Sequence, residues 1–266
     1  MPMTELARKY APWSASMITA AQACPRQFYL TRVVKQAKTA AASDNQVGTA
    51  VHAYLERRVL GDDVRLAEAA ALKVAPLASN EQDAFRALLA PAESFVTRFA
   101  AFRAKEQVTK VVCERKWAVT EDFRPTDFFD AKAMYRGVVD LAAVTARGDV
   151  FIIDHKSGAV RAAEDKLVQL DSYAVMALAN AADLGASTLA GARCGINALA
   201  NPGPVQLLWL PYRSAGTVRA VQQEELVRAI NEAAEQLGDF PARPGKKWPC
   251  KFCGYRLSCD ASQARS

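Results

Sequence analysis

Histidine is scarce in this chain: His52 and His155 are the two it has, so each is weighed singly as a candidate ligand. No G-x-x-x-x-G-K-[ST] phosphate-binding loop occurs, which excludes a nucleotide-driven motor within these residues. The start, MPMTELARKY, carries charges where a secretory signal would have an apolar core, and a cytoplasmic location is expected. The longest uncharged run, Cys194–Tyr212, contains Asn, Gln, Gly and three prolines, a poor membrane span. In a reducing compartment the six cysteines are expected as metal ligands or small packed side chains rather than disulfides. What is present is globular: 51% apolar and 23% charged residues. The net charge of +6 and pI near 9.0 permit a polyanionic partner without requiring one.

The most informative stretch is Gly137–Lys156, GVVDLAAVTARGDVFIIDHK. Two apolar β runs, Gly137–Val144 and Val150–Ile153, are joined by Ala146-Arg147-Gly148, with Gly at the left-handed position of a short hairpin loop. If Thr145 pairs with Asp149, counting back along both strands sets Asp140 opposite Asp154. Opposed carboxylates repel one another, and burying both costs several kcal/mol unless they are neutralised. A divalent cation does so, because hard cations take carboxylate oxygens. Lys156 shares a strand face with Asp154, and His155 must point to the opposite face. The bland alternative is a hairpin with an exposed, salt-bridged end, and D-x-K alone does not exclude it.

Around this hairpin the pattern predicts helices at Met17–Ala21, from Pro25 through Val34, over Gly48–Leu60, through an Ala-rich 62–107 stretch, over Ala162–Leu184 and over Thr217–Leu237. Inward positions are expected at Phe28, Tyr29, Val33 and Val34, then Phe85, Leu88, Leu89, Phe95, Phe99 and Phe102. Later helices contribute Leu167, Leu170, Tyr173, Val221, Leu226, Ile230 and Leu237. Pro91 is expected to begin or kink a helix. Strands are expected at Val108–Val119, Cys194–Leu199 and Val205–Tyr212, with an irregular connection over Glu121–Lys132. His52 and Glu56 are i,i+4 on one helix face, as are Gln169 and Tyr173 on another. A lone helical His or a Tyr on a core stripe is more often structural. Glu114, within a strand, reads either as an edge charge or as a further acidic contributor to the hairpin face. Cys113 reads as packed.

The end of the chain changes character. PARPGKKWPCKFCGYRLSCDA contains Cys250, Cys253 and Cys259 among Arg243, Lys246, Lys247, Lys251 and Arg256. Three close thiols want a fourth ligand, since structural zinc is four-coordinate and a [4Fe–4S] cluster takes four Cys. Cys24, in a helical stretch beside Pro25 and outside the expected strands, is the best of those remaining.

In order along the chain, Cys24-Pro25, G-x-x-x-H at Gly48–His52, G-x-x-D at Gly137–Asp140, I-I-D-H-K at Ile152–Lys156, Q-x-x-x-Y at Gln169–Tyr173 and the final cysteines form a set. This set resembles the iron–sulfur branch of the PD-(D/E)XK nucleases, of the RecB-like, CRISPR-associated and AddB type. The resemblance implies a single α/β (α+β) domain over 1–266 with a restriction-endonuclease-like mixed sheet flanked by helices. It also implies a helical insertion at 53–107 and a cluster lobe formed by 1–35 and 240–266. By the same resemblance His52, Asp140, Asp154 and the backbone carbonyl of His155 would bind Mg²⁺ or Mn²⁺. Lys156 would activate water and stabilise the phosphate, and Gln169, Tyr173, Glu114, Lys246 and Lys247 would support the site or the DNA. Cys24, Cys250, Cys253 and Cys259 would hold the [4Fe–4S] cluster, zinc being the alternative. The implied activity is a DNA exonuclease acting without base specificity on single strands or DNA ends, in repair, phage DNA processing or CRISPR adaptation, with recombination or adaptation proteins as partners and no membrane. The rivals are a non-catalytic DNA-binding subunit and a zinc-ribbon interaction module.

Overall fold

The computed structural model describes residues 1–37, 46–201, 207–242, 250 and 253–259. Its centre is a mixed sheet of seven strands: β1 (Val108–Val119), β2 (Pro125–Thr126), β3 (Tyr135–Thr145), β4 (Asp149–Lys156), β5 (Gly191–Ala198), β6 (Leu207–Trp209) and β7 (Arg213–Ser214). The order is β2-β1-β3-β4-β5-β6, with β7 also on β5. β4 and β5 are parallel and every other pair is antiparallel. The parallel pair needs a crossover, which 163–184 supplies as two 3₁₀ turns flanking a helix.

The helices are α1 (Glu5–Lys9), α2 (Ala15–Ala23), α3 (Pro25–Phe28), α4 (Gln46–Leu60), α5 (Val64–Val74), α6 (Ser79–Lys105), α7 (Leu167–Ala179), α8 (Ala215–Thr217) and α9 (Gln223–Glu235). Two apolar cores sandwich the sheet. On one face α2, α7 and α9 bury Ile18, Leu170, Met176 and Ile230 against Ala142, Val144, Val150 and Ile152. On the other, α4–α6 bury Val51, Tyr54, Leu55, Phe85 and Phe95 against Leu141, Ala143 and Ile153. Adjacent strand residues therefore serve different cores, which is why β3 and β4 read as nearly continuous apolar runs. Among the described residues no helix is long and apolar enough to cross a membrane.

Several expectations shift. Ala162–Leu184 is broken, with Ala163–Lys166 and Ala181–Leu184 as 3₁₀ turns around α7. Leu167, the first residue of α7, is exposed rather than inward. The helix begun at Pro25 widens to a π turn over Tyr29–Val33, leaving Val33 and Val34 exposed. A second π turn, Val218–Gln222, precedes α9; its extra residue per turn rotates Val221 out to solvent while Leu226, Ile230 and Leu237 stay buried. α6 runs through Pro91 without a break. The 121–132 connection is pinned by β2 pairing with β1, by Thr126 Oγ1 donating to Asp130 (2.7 Å) and by the Lys132 amide donating to the same carboxylate (2.8 Å).

Candidate active site

Gly148 sits in the β3–β4 loop at φ +83°, the left-handed position the sequence reserves for it. The ladder runs Val144↔Val150 through Leu141↔Ile153. Continuing that register by one step sets Asp140 opposite Asp154, as counting predicts. The ladder ends there because the Asp140 side chain takes over: its Oδ2 accepts the His155 backbone amide at 2.7 Å. Both aspartates are buried.

At this point the strands exchange faces. On β1, Trp117 and Val119 belong to the α7-side core, whereas Val111 and Cys113, of the same parity, pack on the α4–α6 side. On β3 the switch falls between Val139 and Leu141. Glu114 and Asp140 are the two residues at the crossing, and Glu114 has φ +48°, costly for a residue with a side chain and therefore held by its surroundings. The crossing turns Glu114 towards α4. There His52 Nδ1 lies 3.5 Å from Asp140 Oδ2 and 3.7 Å from Glu114 Oε1. These three residues bring one ligand atom each within 4.8 Å of one another. His52 and Glu114 line a cavity of about 530 Å³ together with Gly48, Glu56, His155 and Lys156. α4 is anchored by Tyr54 and Arg58, which both donate to Glu93 of α6 (2.7 and 2.6 Å).

Asp154 is served from α7. Gln169 Nε2 donates to its Oδ1 at 3.0 Å and to the Tyr173 hydroxyl at 2.7 Å, and Tyr173 reaches the same oxygen at 3.4 Å. A Cβ at Gly137 would stand 2.9 Å from Met176 Cε and 3.4 Å from Tyr173 Cε1. Glycine here leaves room for the Met176 methyl against the strand that carries Asp140. Lys156 Nζ lies 2.7 Å from Asp154 Oδ2. This ion pair is what serves the buried oxygen, and the Lys156 charge and hydrogen bond act on Asp154 against its burial.

The electrostatics separate the two carboxyls. Burial, then the Asp140 charge, raises Asp154 to about 6. Burial acts on Asp140 in the same direction, but His52 outweighs it and holds that carboxyl below its ordinary value. His52 rises to about 10: burial opposes its charge, and hydrogen bonds and attraction from Asp140 and Glu114 overcome it. His155 falls to about 3 through burial. It sits on the other strand face, edge-on to Phe95 at 4.9 Å, with its Nδ1 3.1 Å from Asn197 Nδ2.

Reasoning from sequence therefore places His52, Asp140, Asp154, Lys156, Gln169 and Tyr173 in one constellation, and the structure brings them together. It underweights Glu114, which joins His52 and Asp140 instead of lying on an exposed edge. It misses Asn197, which the parallel β4–β5 register places beside His155; Phe95 is buried as expected and packs on the His155 ring. Glu56 was visible at i+4 from His52; burial and then the Glu114 charge raise its carboxyl. Lys246 and Lys247 lie outside the described residues. Of the cysteines, Cys24 is buried and Cys250, Cys253 and Cys259 are half-buried. Burial and then repulsion from the Cys24, Cys250 and Cys259 thiols raise Cys253. The four are neighbours, but among the described residues no three of their sulfurs lie within 4.8 Å of one another.

The sequence profile of the PD-(D/E)XK nuclease superfamily matches residues 12–260. The chain belongs to the PD-(D/E)XK nuclease superfamily. A solved structure named "Putative exonuclease", from Eubacterium rectale, is similar at a TM-score of 0.50 and 8% identity, covering 100% of this chain and 94% of that one. At that identity the likeness speaks for the fold alone. The crystal structure of SSO0001 aligns at a TM-score of 0.31 and 14% identity over 93% and 95% of the two chains. No curated protein matches.

Proposed function

We propose that the chain is a metal-dependent DNA exonuclease of the RecB-like branch, acting on single strands or DNA ends. The observation that carries this reading is the pair of buried, opposed aspartates, one joined to His52 and Glu114 and the other to Lys156. Two opposed, buried carboxyls beside a His/Glu/Asp set whose ligand atoms lie within 4.8 Å of one another fit a hard divalent cation. His52, Glu114, Asp140, Asp154 and the His155 carbonyl would hold Mg²⁺ or Mn²⁺. When bound, such an ion supplies Lewis acidity at the phosphate and lowers the pKa of the attacking water.

The remaining work belongs to the chain. Lys156, paired to Asp154 and reaching into the cavity, is placed to orient a water and to offset charge developing on the phosphoryl oxygens. Gln169 and Tyr173 fix the Asp154 carboxylate by its Oδ1 and so turn Oδ2 towards Lys156. His155 holds Asp140 through its backbone amide. A surface with net charge +6 suits a polyanion gripped without base readout, so affinity should fall steeply with salt.

Cys24, Cys250, Cys253 and Cys259 are proposed to hold a [4Fe–4S] cluster that ties the two ends of the chain, with zinc as the alternative. The Tyr29–Phe240 ring contact (4.6 Å) and the Gln36–Ser258 hydrogen bond (3.0 Å), which join the two ends, support this. A brown anaerobic preparation containing iron and acid-labile sulfide is expected; a colourless one loaded with zinc would overturn the cluster. End-labelled single-stranded DNA with Mg²⁺ or Mn²⁺, given to wild type and Asp154→Ala, tests the activity. Metal-dependent degradation that the variant loses is the expected result. A folded, metal-loaded wild type that leaves the DNA intact contradicts it and favours a non-catalytic subunit.

A further inference from the structure

A second feature lies outside the carboxylate site. In the connection between β2 and β3, Phe129 is 79% exposed, and it meets Phe128 edge-on at 5.1 Å. A single exposed Phe needs no explanation. Here, however, the rings are framed by cations. The Arg136 guanidinium lies over both, 5.1 Å from Phe128 and 5.7 Å from Phe129, and Lys116 Nζ lies 6.0 Å from Phe128. Arg136 is held in place by its Nη1 donating to the Phe128 carbonyl at 3.2 Å. Neither Lys116 nor Arg136 has an ion-pair partner among the described residues. Of the nearby loop acids, Asp130 is engaged by Thr126 and the Lys132 amide and Asp122 by Thr120 and Arg124, while Asp127, beside Phe128, is exposed. Arg32 stands close enough to Arg136 for like-charge repulsion to add to burial in lowering its pKa.

The patch also lies on the side of the sheet that faces the site. Trp117, Val119, Tyr135 and Val139 are buried on the α7 side. Lys116 and Arg136 alternate with them and so face the other way, onto the surface that carries α4 and His52. From Arg136 to Asp140 is four residues of strand, roughly 13 Å.

We propose that Phe128, Phe129, Lys116 and Arg136 form a stacking platform for single-stranded DNA, which holds the substrate a few nucleotides from the site. Base–aromatic stacking flanked by backbone-neutralising cations is how proteins grip single strands without reading sequence, and in a duplex the bases are already stacked on one another. The proposal deepens the nuclease reading and rests on it for its purpose, but it is tested without cleavage. Anisotropy of a labelled oligothymidylate and of a labelled blunt hairpin duplex is measured on the full chain in chelator.

Phe129→Ala should weaken single-strand binding by about 5- to 150-fold, with Phe129→Trp close to wild type. Duplex affinity should stay near wild type in both variants. Lys116→Ala should lower the salt slope for the single strand by about 0.7. In metal, Phe129→Ala should raise KM on single strands and leave kcat unchanged. Wild-type single-strand affinity in Phe129→Ala, an equal loss on the duplex, or no single-strand binding by wild type would each overturn the platform. Loss of cleavage with this binding pattern intact would overturn the nuclease reading alone.

Discussion

The β3–β4 hairpin has two ends built from the same two strands. At the loop end, Ala142, Val144, Val150 and Ile152 are buried against α7 and α9 with no buried charge, and the one buried polar side chain, Thr145, accepts from the Asp149 amide. At the other end the same register buries Asp140, Asp154 and His155, and β1 turns through a positive φ at Glu114. The first end stabilises the fold. The second is held against the local cost of buried charge, as expected where a protein keeps strain and displaced pKa values for chemistry. Substitutions at the two ends should therefore have opposite signatures.

The largest effect expected is on activity. Lys156→Ala and Asp140→Ala should each reduce single-strand cleavage by about 10²–10⁴-fold with unfolding midpoints near wild type. Ile152→Ala should leave the rate per folded molecule unchanged. A collapse of stability in Lys156→Ala would erase the contrast.

Next in size, Ile152→Ala should cost about 2–5 kcal/mol in denaturant unfolding, because it opens a cavity in a packed core. Asp154→Asn should do the reverse. With Asp154 raised to about 6, the folded metal-free chain binds more protons than the unfolded one between the ordinary aspartate range and that value. Its stability therefore falls as pH rises through this window, and the ionised carboxylate is a net burden at neutral pH. Removing it should stabilise the metal-free chain at pH 7.5 by on the order of 1–3 kcal/mol and flatten the slope between pH 4 and 6. Destabilisation by Asp154→Asn in chelator would show that the ion pair with Lys156 outweighs the burial.

The smallest effect is in proton counts. His52, raised to about 10, is protonated at pH 7.5 without metal and must lose its proton to act as a ligand. Calorimetry of Mn²⁺ binding in buffers of different ionisation enthalpy should show about one proton released. That release should vanish in His52→Gln.

The hairpin was legible because local signals agreed: a glycine at the left-handed loop position, strict pairing arithmetic and apolar strands around two acids. Gln169 and Tyr173 were legible as an i,i+4 pair, although their reach to Asp154 is a contact between elements. Glu114 was not, because nothing in VTKVVCERKWAV announces that the strand exchanges faces at its glutamate. Asn197 was hidden by the parallel β4–β5 pairing, which joins segments separated by a helix. Leu167 and Val221 were misread because a 3₁₀ turn and a π turn reset the helical phase, and a uniform 3.6-residue period cannot show that. The Phe128–Phe129 patch lay in a stretch read as irregular, where periodicity carries no information.

The most direct test of the account is stoichiometric Mn²⁺ binding, followed by electron paramagnetic resonance, in wild type and in Asp140→Asn. The account predicts a saturable site in wild type that the single amide substitution weakens by at least about tenfold, with the fold unchanged. Equal Mn²⁺ binding by the two proteins would contradict it, and the opposed aspartates would then be a structural pair and not a metal centre.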